Sequence, residues 1–204
     1  MTHRERMLAG LVYDPADPEI AAFQVKCLDL VHEYNSLRPS QREEKRELLA
    51  RMFGAIGEDC YIEQPFHANF GGRHVFMGNG VYSNFNLTLV DDGNIYIGDH
   101  VMFAPNVVVA TAAHPVEPSL REKGYQYNRD VRIGNNVWIG AGVVILPGVT
   151  IGDNSVIGAG SVVTRDVPAD VVAFGNPCRV SRKISDRDRE FYYKQDCIDW
   201  ENLG

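Results

Sequence analysis

The sequence lacks long apolar runs, an excess of basic residues and paired cysteines, and each absence excludes a class of protein. No apolar segment approaches the roughly 20 residues that a membrane-spanning helix needs. The 20 Lys and Arg against 27 Asp and Glu give a net charge of -7, opposite in sign to a general nucleic-acid binder. The four cysteines show no CxxC spacing, and no signal peptide is visible. We therefore expect a cytoplasmic protein with free thiols that binds neither membrane nor nucleic acid.

The chain does contain a repeat with a period of six residues. From Ile133 onward every hexad starts with an aliphatic residue, at Ile133, Ile139, Ile145, Ile151, Ile157 and Val163. A helix is excluded because β-branched residues and glycine recur throughout, and hairpins are excluded because two-residue alternation is not sustained. The period therefore predicts an all-β solenoid of short parallel strands, stacked so that a column of Ile and Val is buried.

The segments outside the repeat divide the chain into three parts. We predict an N-terminal helical segment over 1–57, the solenoid over 58–184 with a protruding loop at 111–132, and a C-terminal helical tail over 185–204. Asp17 before Pro18 is a typical helix start, and residues 40–43 fit a capping box for a second helix. These helices are expected to cap the open end of the stack. A short helix is expected over 185–193.

Polar residues at the interruptions of the repeat are the candidates for chemistry. His114 is the one histidine in the unpatterned loop; it is either a base held against a cleft or an exposed loop side chain. Asn84 could orient a hydroxyl or an imidazole, or it could satisfy the backbone of a corner. Asp92 could accept a hydrogen bond from a polyol, although an ordinary turn is the better interpretation for at least one of Asp91 and Asp92.

A basic cluster stands out near the C-terminus of this acidic chain. Arg165, Arg179, Arg182 and Lys183 could bind phosphates, since arginine offers bidentate geometry, or they could be a solvated run of charge. The histidines have no ligand-pair spacing and no cysteine lies near them, so we predict no metal site.

Several motifs together resemble the galactoside/maltose O-acetyltransferase branch of the hexapeptide-repeat acyltransferases. They are Met7-Leu8-Ala9-Gly10 with Tyr13, Asn84-Phe85-Asn86, Val90-Asp91-Asp92, Ala104-Pro105-Asn106, His114-Pro115-Val116, Trp138-Ile139-Gly140 and Gly175-Asn176-Pro177-Cys178-Arg179. The resemblance implies a left-handed parallel β-helix with three hexads per coil. It also implies a homotrimer, with each active site in a groove between neighbouring solenoids.

The same resemblance implies roles for individual residues. His114 would be the catalytic base, and Asn84 and Asp92 would contact the acceptor near it. Asn69 and an N-terminal acidic residue, Asp14 or Asp17, would complete the acceptor site. Acetyl-CoA would be the co-substrate, bound at positions that match Ala141, Ala159, Thr164, Arg165, Arg179 and Arg182.

The implied activity is acetyl-CoA-dependent transfer of an acetyl group to a sugar hydroxyl, by direct attack in a ternary complex and without a metal. The oxyanion would be stabilised by a main-chain N–H near Ala141 or by the amide of Asn84. Alternatives are another hydroxyl acceptor such as serine, an antibiotic or an oligosaccharide, a zinc-dependent carbonic anhydrase-like protein, or an inactive scaffold.

Overall fold

The computed structural model describes residues 1–203 and confirms the solenoid of short parallel strands. Each hexad places two or three residues on a strand and the others at a corner. In chain order the strands are β1 (Ala55–Ile56), β2 (Tyr61–Ile62), β3 (His67–Ala68), β4 (Val75–Met77), β5 (Tyr82–Ser83), β6 (Thr88–Val90), β7 (Ile95–Ile97), β8 (Met102–Phe103), β9 (Val108–Ala110), β10 (Ala112–Ala113), β11 (Tyr127–Asn128), β12 (Val131–Ile133), β13 (Trp138–Ile139), β14 (Val144–Ile145), β15 (Thr150–Ile151), β16 (Val156–Ile157), β17 (Val162–Val163), β18 (Val171–Phe174), β19 (Arg179–Lys183), β20 (Phe191–Tyr193) and β21 (Asp196–Cys197).

Three parallel sheets form the faces of the solenoid. Face 1 has the order β1-β4-β7-β12-β15, face 2 the order β2-β5-β8-β13-β16-β18, and face 3 the order β3-β6-β9-β14-β17. Each strand pairs with its equivalent in the next coil, so equivalent residues stack; Ile133 lies between Ile97 and Ile151. The last strand of the solenoid, β18, also pairs antiparallel with β19.

Two of the three corners of the solenoid carry the candidate site residues. The Asn84 corner connects face 2 to face 3 and comprises residues 63–66, 84–87, 104–107, 140–143 and 158–161. The Asp92 corner connects face 3 to face 1 and comprises residues 69–74, 91–94, 111–130, 146–149 and 164–166. The two corners therefore lie at opposite edges of face 3.

The core is the column of aliphatic side chains that the hexad period predicts. The first residue of every hexad from Ile133 to Val163 is at most 3% exposed. Complete burial of one such side chain contributes about 1.5–3 kcal/mol. Outward-facing residues share the same strands, so each strand has one buried and one exposed side.

The corners need unusual backbone geometry, which explains their composition. Gly142 and Gly160 have φ angles of +68° and +69°, and Asn86 and Asn106 occupy equivalent positions with +62° and +61°. Glycine and asparagine adopt this left-handed region most readily. At Gly140 the restriction is space, because a Cβ would lie 2.6 Å from the backbone N of Ala159 in the next coil.

The N-terminal helices are α1 (His3–Leu8), α2 (Pro18–Ser36) and α3 (Arg42–Met52). The Asp17 cap of α2 is confirmed, since its Oδ1 accepts from the backbone N–H groups of Glu19 and Ile20 at 3.0 and 3.4 Å. The helices cap the first coil as expected, and the Tyr34 hydroxyl donates to the Ile62 carbonyl at 2.5 Å. The first strand, β1, begins at Ala55, before the expected boundary at 58.

The capping box expected over 40–43 is wrong. The N-cap of α3 is Gln41, which makes no side-chain cap bond; its Oε1 accepts from the Arg38 N–H of the preceding turn at 2.9 Å. A capping box instead begins α1, where Thr2 and Glu5 bond reciprocally at 3.1 and 2.8 Å.

The loop and the tail are more regular than the sequence indicated. Within the loop, β10 and β11 form an antiparallel hairpin around α4 (Pro118–Glu122), and β12 already begins at Val131. In the tail, α5 (Arg187–Glu190) ends before 193, because the aromatic residues that follow form the hairpin β20–β21. A 3-10 turn at Trp200–Asn202 follows.

Among residues 1–203, no helix is both long and apolar enough to cross a membrane.

Candidate active site

The Asp92 corner contains two buried carboxylates at the register break of the repeat. Asp91 is 0% exposed and Asp92 4% exposed. Asp91 accepts from the backbone N–H groups of Phe70 and Gly72 at 2.8 and 2.9 Å, so its side chain anchors the segment 69–74. Burial raises the pKa of Asp91. The backbone forms the expected turn at both residues, but it is not an ordinary one, because each side chain is enclosed and hydrogen-bonded.

Asp92 is held by two side-chain donors. Its Oδ2 accepts from Asn69 Nδ2 at 2.9 Å and its Oδ1 from the Tyr13 hydroxyl at 3.2 Å. Burial raises the pKa of Asp92, and the bonds from Asn69 and Tyr13 oppose that rise. The structure thus brings together Asn69 and Asp92, two of the residues expected to contact the acceptor.

His114 is exposed on the loop, directly after β10. Its Nδ1 lies 2.8 Å from the carbonyl oxygen of Tyr125. Since a carbonyl only accepts, Nδ1 carries the proton of the neutral ring, and Nε2 keeps a free lone pair. This is the arrangement that a general base needs.

Short hydrogen bonds connect the loop that carries His114 to the residues on either side of Asp91 and Asp92. Thr111 donates to the Val90 carbonyl at 2.6 Å and accepts from the Gly93 N–H at 2.8 Å. On the other side of the hairpin, Tyr13 and Gln126 exchange two backbone hydrogen bonds of 2.9 and 3.0 Å. The loop is therefore fixed at the corner that holds Asp92.

Asn84 lies elsewhere, at the Asn84 corner. Its Oδ1 accepts from the Phe85 N–H at 2.8 Å, as a corner residue satisfying the backbone would. Its Nδ2 makes no hydrogen bond within residues 1–203. Within one chain, Asn84 and His114 lie at different corners, with face 3 between them.

The residues expected to bind acetyl-CoA are divided in the same way. Ala141 and Ala159 are exposed on neighbouring coils of the Asn84 corner, where the Gly160 N–H donates to the Ala141 carbonyl at 2.8 Å. Thr164 and Arg165 lie at the Asp92 corner. A groove of about 300 Å³ brings Arg165 together with Arg179 and is lined by Arg165, Asp166, Val167, Cys178, Arg179 and Val180.

Arg182 is already paired. Its guanidinium donates to both carboxylate oxygens of Asp188 at 2.7 Å, and this bond lowers the pKa of Asp188 to about 2. The structure therefore places Arg182 on β19 with its charge directed to the tail.

The two acidic candidates at the N-terminus have different local tasks. Asp17 caps α2, whereas Asp14 accepts from the Ala16 N–H at 2.9 Å and follows Tyr13 directly in the chain. Asp14 is thus adjacent to a residue that contacts Asp92. Among residues 1–203, no three or more His, Cys, Asp or Glu side chains are grouped as metal ligands.

Comparison with known proteins identifies the family. Residues 6–57 match the maltose acetyltransferase hexapeptide capping motif, and residues 130–165 match the bacterial transferase hexapeptide (six repeats). A galactoside O-acetyltransferase of Lactococcus lactis subsp. lactis (strain IL1403) is 56% identical over 89% of this chain and 87% of its own length. The chain belongs to the galactoside/maltose O-acetyltransferase branch of the hexapeptide-repeat acyltransferases.

Solved structures agree with this membership of the family. A galactoside acetyltransferase in complex with coenzyme A superposes with a TM-score of 0.94 at 45% identity, covering 98% of this chain and 99% of its own. A maltose O-acetyltransferase from Clostridium difficile 630 gives 0.89 at 43% identity, covering 91% and 98%. The resemblance seen in the sequence motifs is confirmed.

Reasoning from the sequence missed three residues that build the site of this family member. They are the anchor Asp91, the hydroxyl of Tyr13, and Asn128, which is buried beside Tyr13 and donates to the Met7 carbonyl at 3.2 Å. The Tyr13–Asp92 contact joins residues 79 positions apart, so no local pattern could reveal it. Tyr13 and Asp91 did stand in the motifs of the resemblance, and Asn128 is a polar residue in a loop without pattern, but none of these signals indicated a role.

Proposed function

We propose that this protein is an acetyl-CoA-dependent O-acetyltransferase that acts on a hydroxyl of a galactoside, glucoside or maltose-like sugar. The observation that carries the proposal is His114, held through Nδ1 with Nε2 free, on a loop fixed to the corner that contains Asp92. Membership of the family supports the donor, since a similar galactoside acetyltransferase was solved with coenzyme A.

The reaction is a direct attack in a ternary complex. His114 Nε2 takes the proton of the sugar hydroxyl while the hydroxyl oxygen bonds to the thioester carbon. The C–S bond then breaks, and the imidazolium returns its proton to the departing thiolate, giving an acetyl ester and free CoA. A positioned base supplies roughly 10²–10⁴-fold of the acceleration, and holding both substrates in place supplies much of the remainder.

The oxyanion that forms on the thioester requires a hydrogen-bond donor. Asn84 Nδ2 is suited to this role because it has no partner within residues 1–203, while the side chain is oriented through Oδ1. A main-chain N–H near Ala141, on the same corner, is the other candidate.

Asp92, Asn69 and Asp14 form the proposed acceptor site. A carboxylate oxygen accepts more than one hydrogen bond, so Asp92 can accept from a sugar hydroxyl while it keeps its bonds to Asn69 and Tyr13. Recognition by a few polar groups near one base allows several sugars to serve as acceptors.

The division of the site between two corners supports a homotrimer. The Asn84 corner of one copy and the Asp92 corner of the next would form a complete site, and this head-to-tail contact can close into a ring. Face 2 also has an apolar outer surface, on which Tyr82, Met102 and Trp138 are stacked in register and are 39%, 48% and 50% exposed. A second copy would cover this surface.

The proposed reaction is tested by following thiol release from acetyl-CoA with galactosides, glucosides and maltose as acceptors. The wild type is expected to release thiol only when an acceptor is present. His114→Ala is expected to lower kcat by at least about 100-fold, because the base is lost. Undiminished release in the variant would refute His114 as the base. If thiol is released with serine or another alcohol but with none of the sugars, the proposal of a sugar acceptor is refuted.

A further inference from the structure

Tyr13 is buried between the acceptor carboxylate and the loop that carries His114. Its side chain is 1% exposed, although it belongs to the short segment between α1 and α2. The hydroxyl oxygen lies 3.2 Å from Asp92 Oδ1, 3.3 Å from Gln126 Oε1 and 3.4 Å from Asn128 Oδ1.

The single hydroxyl proton has a preferred acceptor among these three oxygens. A hydrogen bond to a charged carboxylate is stronger than one to a neutral amide, so the proton is directed to Asp92. Asn128 is held in place separately, because its Nδ2 donates to the Met7 carbonyl. Burial first, and then the charge of Asp92, raise the pKa of Tyr13, so the hydroxyl keeps its proton for this bond.

The backbone of Tyr13 supports the other half of the site. It forms two hydrogen bonds with Gln126, the residue that follows Tyr125. The Tyr125 carbonyl in turn accepts from His114 Nδ1 and orients the ring. One residue thus contacts the acceptor carboxylate through its side chain and the segment that orients the base through its main chain.

We propose that Tyr13 is a positioning residue that fixes the Asp92 carboxylate relative to the His114 loop and so sets the affinity for the acceptor. This inference rests on the proposed function, because it takes Asp92 as an acceptor contact and His114 as the base. The N-terminal segment then takes part in acceptor binding as well as capping the solenoid.

The test is Tyr13→Phe, which removes the hydroxyl and retains the ring and the backbone bridge to Gln126. The KM for the acceptor is expected to rise roughly tenfold, equivalent to about 1.4 kcal/mol, with the KM for acetyl-CoA within about twofold of wild type. A merely structural loss would lower the concentration of active enzyme, and hence the apparent kcat, but would leave both KM values unchanged.

The chain offers a matched control in Tyr34→Phe. Tyr34 is equally buried and its hydroxyl also makes one hydrogen bond, but to the Ile62 carbonyl of β2, where the N-terminal helices cap the solenoid. This variant is expected to lower Tm while both KM values stay at the wild-type level. A rise of the acceptor KM in both variants would overturn a specific role for Tyr13.

A cycle with Asp92→Asn separates this inference from the proposed function. If Tyr13 acts through Asp92, the double variant has the acceptor KM of Asp92→Asn alone, because both changes remove the same interaction. If Asp92→Asn raises the acceptor KM and Tyr13→Phe does not, the inference fails and the acceptor site stands. If Asp92→Asn itself leaves the acceptor KM unchanged, the proposed acceptor site fails, and the role of Tyr13 with it.

Discussion

At the scale of single residues, the site depends on two adjacent carboxylates that are buried but fully hydrogen-bonded. Asp91 accepts from two backbone N–H groups and Asp92 from two side chains. No buried side-chain polar atom within residues 1–203 lacks a partner. Removing one partner of a buried group costs more than the bond itself, because the other group remains desolvated. These contacts therefore hold the site rigid before any substrate binds.

The protonation of Asp92 predicts a pH dependence of acceptor binding. Burial raises the pKa of Asp92, so protons compete for the carboxylate above the ordinary aspartate value of about 3.9. As pH falls, the protonated carboxyl becomes a poorer acceptor, and the acceptor KM is expected to rise. Initial rates across a range of about pH 4.5 to 7.5 at saturating acetyl-CoA give this profile.

Asp92→Asn is the control for this profile. Its acceptor KM is expected to be high and nearly constant over the same range, since the amide does not titrate. An identical rise of KM at low pH in the variant would show that another group is responsible.

The residue types of the site could be predicted from the sequence, but their contacts could not. Asn69, Asp92 and His114 were all expected on the acceptor side, and the structure places them at one corner. A turn was expected for at least one of Asp91 and Asp92, and both lie in one, but the partners of the Asp91 side chain, Phe70 and Gly72, come from the preceding coil and were not foreseen. Residues that interact between coils are about 20 positions apart in the chain, so the six-residue repeat does not show which side chains bond to each other.

At the scale of elements, the segment 69–74 holds the carboxylates of Asp91 and Asp92 in place. It lies between β3 and β4, and it places Asn69 against Asp92 while its backbone binds Asp91. Gly72 is a constrained position in this segment, with φ at +89° and a Cβ position 2.8 Å from the Phe53 ring. The ring of Phe53 is buried and stacks on Phe66, which limits its movement.

Gly72→Ala is therefore expected to destabilise the fold by about 2–5 kcal/mol. About 1–2 kcal/mol of this comes from the left-handed backbone and about 1–3 kcal/mol from overpacking against Phe53. Urea unfolding followed by circular dichroism measures the difference.

Gly124→Ala is the matched control for the backbone contribution. Gly124 also has a positive φ, +75°, but a Cβ there would meet nothing within 4 Å. We expect a cost of about 1–2 kcal/mol. Equal costs at the two positions would show that the contact with Phe53 does not constrain the segment.

Elements were predictable where one pattern repeats and less so where several weak signals meet. Six-residue periodicity requires a specific backbone in every coil, so the solenoid from β12 to β17 follows directly from it. The tail has no such repetition, and the aromatic residues of β20 ended the helix that was expected to continue to 193. At α3, Ser40 fitted the sequence pattern of an N-cap, but the N-cap in the structure is Gln41.

At the scale of the whole molecule, the site is divided between the two edges of face 3. His114, Asp92 and Arg165 lie at the Asp92 corner, and Asn84, Ala141 and Ala159 lie at the Asn84 corner. The hexad frame determines which corner each residue occupies, but it contains no information on how copies pack. We propose that neighbouring copies in a trimer complete each other's sites.

The most direct test is complementation between His114→Ala and Asn84→Ala subunits. The two variants, each strongly impaired alone, are co-expressed with different tags, and mixed oligomers are isolated by sequential affinity steps. Every mixed trimer would contain one site with an intact His114 and an intact Asn84, so about one third of the wild-type activity is expected. Mixed oligomers no more active than the parent variants, yet still able to bind acetyl-CoA, would contradict the account.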